Sequence, residues 1–275
     1  MIVERRAAET EALMAAKMTD RRRAACLLLS LVLSVGMFAC AGSQKKIEDR
    51  KKAEAFRGVG EAYLAEGKVS LALRELLKAE RLYAEDHLLQ YDLGTAYMAK
   101  GRYDDAIAHF QKALEIKPDF APAKNSLGTA YLKKGDIDQA IPIFEALTGD
   151  ILYGTPHYPL YNLGRAYYQK KDFVKAEGYF REALELRPEY VQARYWLART
   201  YLERGLAPEA VGELKKALNR APQSGSLHYE LGRAYLMAGK ADLALKHYET
   251  AVAVSPPESE LAEQAKMAAE DLKKR

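Results

Sequence analysis

From residue 53 onward, apolar and small residues recur at helical spacing in short blocks. Leu93, Gly94 and Tyr97 share one stripe at i, i+1, i+4, and Ala106, Phe110 and Ala113 share another at i, i+4, i+7. Each pattern predicts a helix buried along one face. Gly101 between the blocks suits a left-handed stop, and Pro118 ends the second helix because it cannot continue one. The pair then repeats. Aligned on the small residue after the leucine, Gly60, Gly94, Gly128, Gly164, Ala198 and Gly232 are spaced by 34, 34, 36, 34 and 34 residues. Three positions further on stand Tyr63, Tyr97, Tyr131, Tyr167, Tyr201 and Tyr235, and twelve further on stand Ala72, Ala106, Ala140, Ala176, Ala210 and Ala244. The small residues let paired helices approach closely, while rings such as Tyr97 and Phe110 fill the space between them.

A period near 34 with this small/aromatic spacing is the signature of the tetratricopeptide repeat (TPR), which the chain resembles on these residues. The resemblance implies an all-α TPR solenoid of six helix-turn-helix repeats over 53–258, each with a helix A and a helix B. Over 259–275 a C-terminal capping helix is expected to bury Leu261, Ala265, Ala268 and Leu272. Repeat 3 departs from the pattern, with Pro142 inside its second helix, Leu147 where alanine belongs, and a two-residue insertion spread over 149–156.

The N-terminal part follows other rules. Arg21, Arg22 and Arg23 precede an apolar run over 24–39, which ends at Cys40 before a short polar tether. Such a segment reads as a secretory signal, with Met18 as the expected start. It resembles a bacterial lipobox, with Ala39 before and Ala41 after a lipidated Cys40; Met37 and Phe38 depart from the usual residues. The alternative is an uncleaved inner-membrane signal anchor facing the periplasm, since 24–41 approaches the length of a membrane span. The domains read as 1–39 extension and signal, 40–52 lipidated cysteine and tether, then the repeats. The other cysteine, Cys26, lies inside the signal, so the exported chain has no partner for a disulfide.

The charge is balanced, with 42 basic and 38 acidic residues and a formal net of +4, and no basic stripe points to nucleic acid. Catalytic constellations are equally absent from the sequence: the five histidines are spread along the repeats, and no metal site, cofactor or enzymatic role is expected. Asp104 and Asp105 read as capping residues at the start of a helix.

The other face of helix A is informative. One residue out of phase with the buried stripe, it should be polar and line the inner, concave side. Instead it carries Tyr91 and Met98 in repeat 2, Tyr161, Arg165 and Tyr168 in repeat 4, Tyr195, Arg199 and Leu202 in repeat 5, and Tyr229, Arg233 and Leu236 in repeat 6. Tyrosine and arginine supply binding hot spots, so this ladder reads as a protein-binding groove; packing between helices is the alternative for the tyrosines. Three arginines on adjacent helices repel unless a partner or carboxylates such as Glu203 and Glu230 offset them. The first repeat offers Arg57 and Glu61 rather than the Lys/Asn arrangement of a chaperone-tail clamp.

The lipobox-like start, six repeats, the final helix and the junction of repeats 3 and 4 together resemble the type IV pilus biogenesis and stability lipoproteins, the PilF/PilW pilotin family. The junction carries Leu152-Tyr153 and then Asn162-Leu163-Gly164, with Gly154 in place of the family's proline. The resemblance implies an outer-membrane lipoprotein at the periplasmic face whose repeats hold secretin subunits during pilus assembly. A generic envelope adaptor for exopolysaccharide export or cell-wall enzymes is the other reading.

Overall fold

The computed structural model describes Met18, 44–149 and 154–274, and all of its regular structure there is helical. The expected signal, Cys26, Cys40 and the Leu152-Tyr153 pair lie outside the described residues. Among the described residues, no helix is long and apolar enough to cross a membrane.

The chain divides into two compact units, Met1–Ala84 and Glu85–Arg275. In the first, helix α1 (44–65) is followed by α2 (Val69–Leu82). A Cβ on Gly60 would lie 2.6 Å from Leu76 Cγ, so the absent side chain is what lets the leucine seat against α1. Arg57 pairs with Glu61 one turn along the same helix.

The second unit contains repeats 2 to 6 as α3 (His87–Ala99), α4 (Tyr103–Ile116), α5 (Ala121–Lys134), α6 (Ile137–Thr148), α7 (His157–Gln169), α8 (Phe173–Leu186), α9 (Val191–Glu203), α10 (Ala207–Leu218), α11 (Gly225–Met237) and α12 (Ala241–Val254), then α13 (Glu260–Lys274). Each helix packs on its chain neighbour, and successive odd-numbered helices, the A helices of the repeats, also touch one another.

The repeated small residue has the mechanical role its spacing predicts. A Cβ on Gly94 would meet the Phe110 ring at 2.5 Å, on Gly128 the Phe144 ring at 2.7 Å, on Gly164 the Phe180 ring at 2.5 Å, and on Gly232 the Tyr248 ring at 2.7 Å. Repeat 5 keeps the fit by a different route, with Ala198 and a smaller partner, Leu214, both fully buried. Helix A and helix B of each repeat are therefore matched in volume as a pair.

Helix ends are set locally. Asp86, Asp172 and Ser224 accept hydrogen bonds from the backbone N–H groups of Leu88, Lys175 and Leu227. Asp104 and Asp105 stand in the first turn of α4, where the helix dipole favours carboxylates, but they do not cap it. Their carboxylates pair with Lys134 at 2.9 Å and Arg102 at 2.7 Å, and these cations draw them away from the free N–H groups. The A-to-B turn takes a left-handed residue in every repeat: Gly67, Gly101, Gly135, Gly205 and Gly239, and in repeat 4 Lys171 with φ 60°. Helix α6 runs through Pro142 to Thr148 despite the lost N–H. The final helix is rotated by about one residue from expectation. It buries Ala262, Ala265 and Ala269, with Ala268 and Leu272 at the edge, and turns Leu261 toward the face described next.

Candidate protein-binding groove

The predicted ladder lies on the A helices of the second unit. Its tyrosines are half-buried, and three of them pack on rings of their own repeat. Tyr91 packs on Phe110 and Phe120 with centroids 5.8 and 5.4 Å away, Tyr161 on Phe180 and Tyr190 at 6.1 and 5.1 Å, and Tyr229 on Tyr248 at 5.6 Å. Each of these three rings packs within its own repeat and keeps part of its surface exposed. Burial raises the phenol pKa of Tyr161 and Tyr195, and in the core beneath Tyr229 it pushes Tyr248 to about 12, so these phenols stay neutral.

Met98 and Tyr168 are half-buried on the same face, and Leu236 is 38% exposed. Leu202 is a correction. It is 3% exposed and belongs to the buried apolar cluster that runs through α8 to α13, so it offers almost no surface to a partner. Leu132, at the same position of repeat 3, is buried in the same way at 1%.

The arginines do not share one fate. Glu230, 4% exposed, lies between two of them: Arg199 Nε is 3.4 Å from its Oε1, and an Arg233 terminal nitrogen is 2.8 Å from its Oε2. Burial works against the charge on Arg233, yet Glu230 keeps its pKa above the usual value. Arg165 differs. Its Nε is buried without an acceptor, as that of Arg199 also is, but no carboxylate among the described residues lies within ion-pair range of Arg165. Its guanidinium lies over Tyr161 and Trp196, 5.8 and 5.4 Å from the ring centroids. Arg199 approaches the same indole at 4.7 Å.

Sequence reasoning did not single out Trp196, and it named Glu230 only as a countercharge, not as a buried residue. Both stand two residues before the small residue of their A helix, and this position reaches back to the preceding A helix. Asn162 does the same in repeat 4, its Nδ2 lying 3.2 Å from Asn125 Oδ1 and 3.4 Å from Thr129 Oγ1. A signal existed: Asp92, Asn162 and Glu230 are buried polar residues at one repeat position within an apolar stripe.

A cleft of about 380 Å³ opens beside Tyr195, Arg199, Tyr229, Glu230 and Arg233 and is also lined by Leu261 and Gln264 of α13. A second, of about 370 Å³, adjoins Tyr195 and Trp196. No group of three or more potential metal ligands comes together among the described residues. Two histidines expected to be scattered do meet: His228 Nδ1 lies 3.0 Å from His247 Nδ1, and His228 Nε2 lies 3.0 Å from the Pro222 carbonyl. Burial, with His228 alongside, lowers the His247 pKa to about 4.

Profiles of the TPR repeat match residues 94–135, and tetratricopeptide-repeat profiles match 119–189, 161–225 and 209–260. No curated protein matches the chain. Among solved structures, PilW, a widely conserved type IV pilus biogenesis factor, aligns at 22% identity over 77% of this chain and 97% of its own, with TM-score 0.70. PilF of Pseudomonas aeruginosa aligns at 18% identity over 80% and 99%, with TM-score 0.66. A thermophilic TPR protein of Thermus thermophilus, TTC0263, aligns at 25% identity over 66% and 98%, with TM-score 0.57. Matched by repeat profiles over 94–260 and folded as stacked helical hairpins, the chain belongs to the tetratricopeptide repeat family of protein-binding scaffolds.

Proposed function

We propose that the protein is a lipid-anchored scaffold that takes an extended protein segment along its A-helix face and serves the assembly of an outer-membrane secretin for a type IV pilus. The observation that carries the binding part is the half-buried tyrosine and arginine ladder running from α3 to α11 beside open clefts. Aromatic and guanidinium groups fixed at their roots lose little entropy on binding, which is what makes such residues hot spots. The secretin part is supported by the sequence resemblance to the pilotin family and by fold likeness over nearly the whole of PilW and PilF. In this reading acyl chains on Cys40 hold the protein at the periplasmic face of the outer membrane, and the repeats gather secretin subunits there.

The test is capture from envelope extract with the full chain as bait, identified by mass spectrometry. Secretin subunits are expected; recovery of a different envelope protein, with no secretin, overturns the pilus reading and leaves the scaffold. Cys40→Ala should move the chain out of the membrane fraction. Retention there would replace the lipid with a signal anchor.

A further inference from the structure

We propose that the gap between α7 and α9 receives the side-chain carboxylate of a glutamate or aspartate from an extended protein segment, with Arg165 as its anchor and the Trp196 indole as its wall. This rests on reading the A-helix face as a protein-binding groove, and narrows it to one position and one chemistry.

Three successive gaps between A helices share one register, and each is met by the residue two before the small position of the later helix. Between α5 and α7 that residue is Asn162, and its amide is satisfied by Asn125 and Thr129. Between α9 and α11 it is Glu230, whose buried carboxylate joins Arg199 and Arg233. In both gaps the residue from the later helix therefore meets a polar or charged partner on the earlier one.

Between α7 and α9 the residue is Trp196. Its ring stands edge-on to Tyr168 at 5.2 Å and is approached by two guanidinium groups, Arg165 at 5.4 Å and Arg199 at 4.7 Å. An indole face attracts a cation but supplies no countercharge. Arg165 thus has no carboxylate partner among the described residues and a buried Nε without an acceptor, while its guanidinium packs over the Tyr161 and Trp196 rings. A guanidinium without a carboxylate can bind one through two parallel hydrogen bonds. Glu230 shows which occupant fits: in the next gap, the carboxylate arrives on a short side chain from adjacent backbone. A bound segment running across the A helices would bring to Arg165 what Trp196 lacks.

The chain has a single tryptophan, and it forms the wall of this gap, so indole fluorescence and the indole N–H resonance report on the site without a label. The full chain, in detergent, is titrated with three short peptides: one with blocked ends and a central glutamate, its glutamine counterpart, and the glutamine peptide with a free C-terminal carboxylate. Only the first should shift the indole signals saturably, with about tenfold or greater preference over glutamine. Arg165→Gln should abolish that preference while melting like the parent. Trp196→Glu installs a carboxylate of the Glu230 kind and should block the labelled glutamate peptide, followed by anisotropy.

Equal responses to glutamate and glutamine, no response to any peptide, or an unchanged preference in Arg165→Gln would each overturn the proposal. A response confined to the free C-terminus would overturn it too, by putting a chain end there instead. The groove reading is judged separately, with the partner captured from the envelope. If Arg165→Gln binds it as the parent does but Tyr161→Ala with Tyr229→Ala does not, this inference fails and the groove stands. If neither variant matters, the groove itself fails.

Discussion

Repeats 4 and 5 are neighbours built on one pattern, and they differ at three places that the pattern itself makes comparable. In the core, Gly164 lies under Phe180 in the first, whereas Ala198 faces Leu214 in the second. At the turn, Lys171 takes the left-handed conformation that Gly205 takes in its neighbour. On the groove face, Arg165 meets no carboxylate while Arg199 is tied to Glu230. The first two differences are settled within a repeat. The third is not, because the residue that decides the state of each arginine belongs to the repeat that follows. Volume and torsion are thus properties of the unit, and charge is a property of the junction.

The core difference gives the largest expected effect. Gly164→Ala places a methyl 2.5 Å from the Phe180 ring and should cost about 2–3 kcal/mol through overpacking. Phe180→Leu alone should cost about 1–2 kcal/mol for the cavity. Together they recreate the Ala198/Leu214 pairing, so the double variant should be much more stable than the sum implies. Chemical denaturation of the four proteins measures the coupling. Simple additivity would mean that each repeat's volume is not set pairwise.

Next comes the junction. Glu230→Gln leaves Arg199 and Arg233 facing a neutral amide in a half-buried site and should cost about 2 kcal/mol, less than a fully buried pair because both arginines keep some water. The same change should free Arg199 to bind acidic peptides, making the α9/α11 gap behave like the α7/α9 gap. If stability is unchanged, the ion pair is ornamental and the contrast between the two junctions loses its energetic basis.

Carried one repeat further, the comparison adds a titration. Fifteen residues beyond the small position stand Tyr179, Glu213 and His247 in repeats 4, 5 and 6. His247 has its pKa lowered from 6.5 to about 4 by burial and by His228. As pH falls through 6.5, the unfolded chain takes up a proton that the folded one refuses, so stability should decline between pH 6.5 and about 4 and be insensitive to this group above that range. His247→Gln should flatten that segment of the melting-temperature profile; an unaltered slope would assign it to carboxylates elsewhere.

Most of the fold was legible because the repeat states each requirement several times over. Gly94, Gly128, Gly164 and Gly232 all precede their aromatic partner by the same distance, so one physical reason explains four positions. The groove was legible only on one helix at a time. The phase of the A helix identified Tyr161, Arg165 and Tyr168 as outward-leaning, but it could not show that Leu202 is buried in the apolar cluster or that Glu230 reaches back to Arg199. Those facts depend on the offset between successive A helices, a quantity that helical periodicity does not contain. Trp196 escaped for the same reason, since within α9 it borders the buried stripe.

The smallest effect tests the turn. Lys171 adopts φ 60°, where its Cβ crowds the following carbonyl at a cost of about 1–2 kcal/mol, whereas the five equivalent turns place glycine. Its backbone N–H still donates to the Tyr168 carbonyl at 2.9 Å, so the turn forms despite the strain. Lys171→Gly should relieve that strain but give the unfolded chain more freedom, which offsets part of the gain. The net is an expected stabilisation of about 0.5–1 kcal/mol. The neighbouring Lys170 pairs with Asp138 at 2.8 Å and is untouched, so surface charge pairing is not disturbed. Gly205→Lys should move stability the other way by a similar amount, and the double swap should leave it near the parent, since the two turns are far enough apart in the chain to act independently. A neutral Lys171→Gly with a costly Gly205→Lys would show that repeat 4 has adapted around its lysine, making the turn, like the charge, a matter of context rather than of the repeat alone.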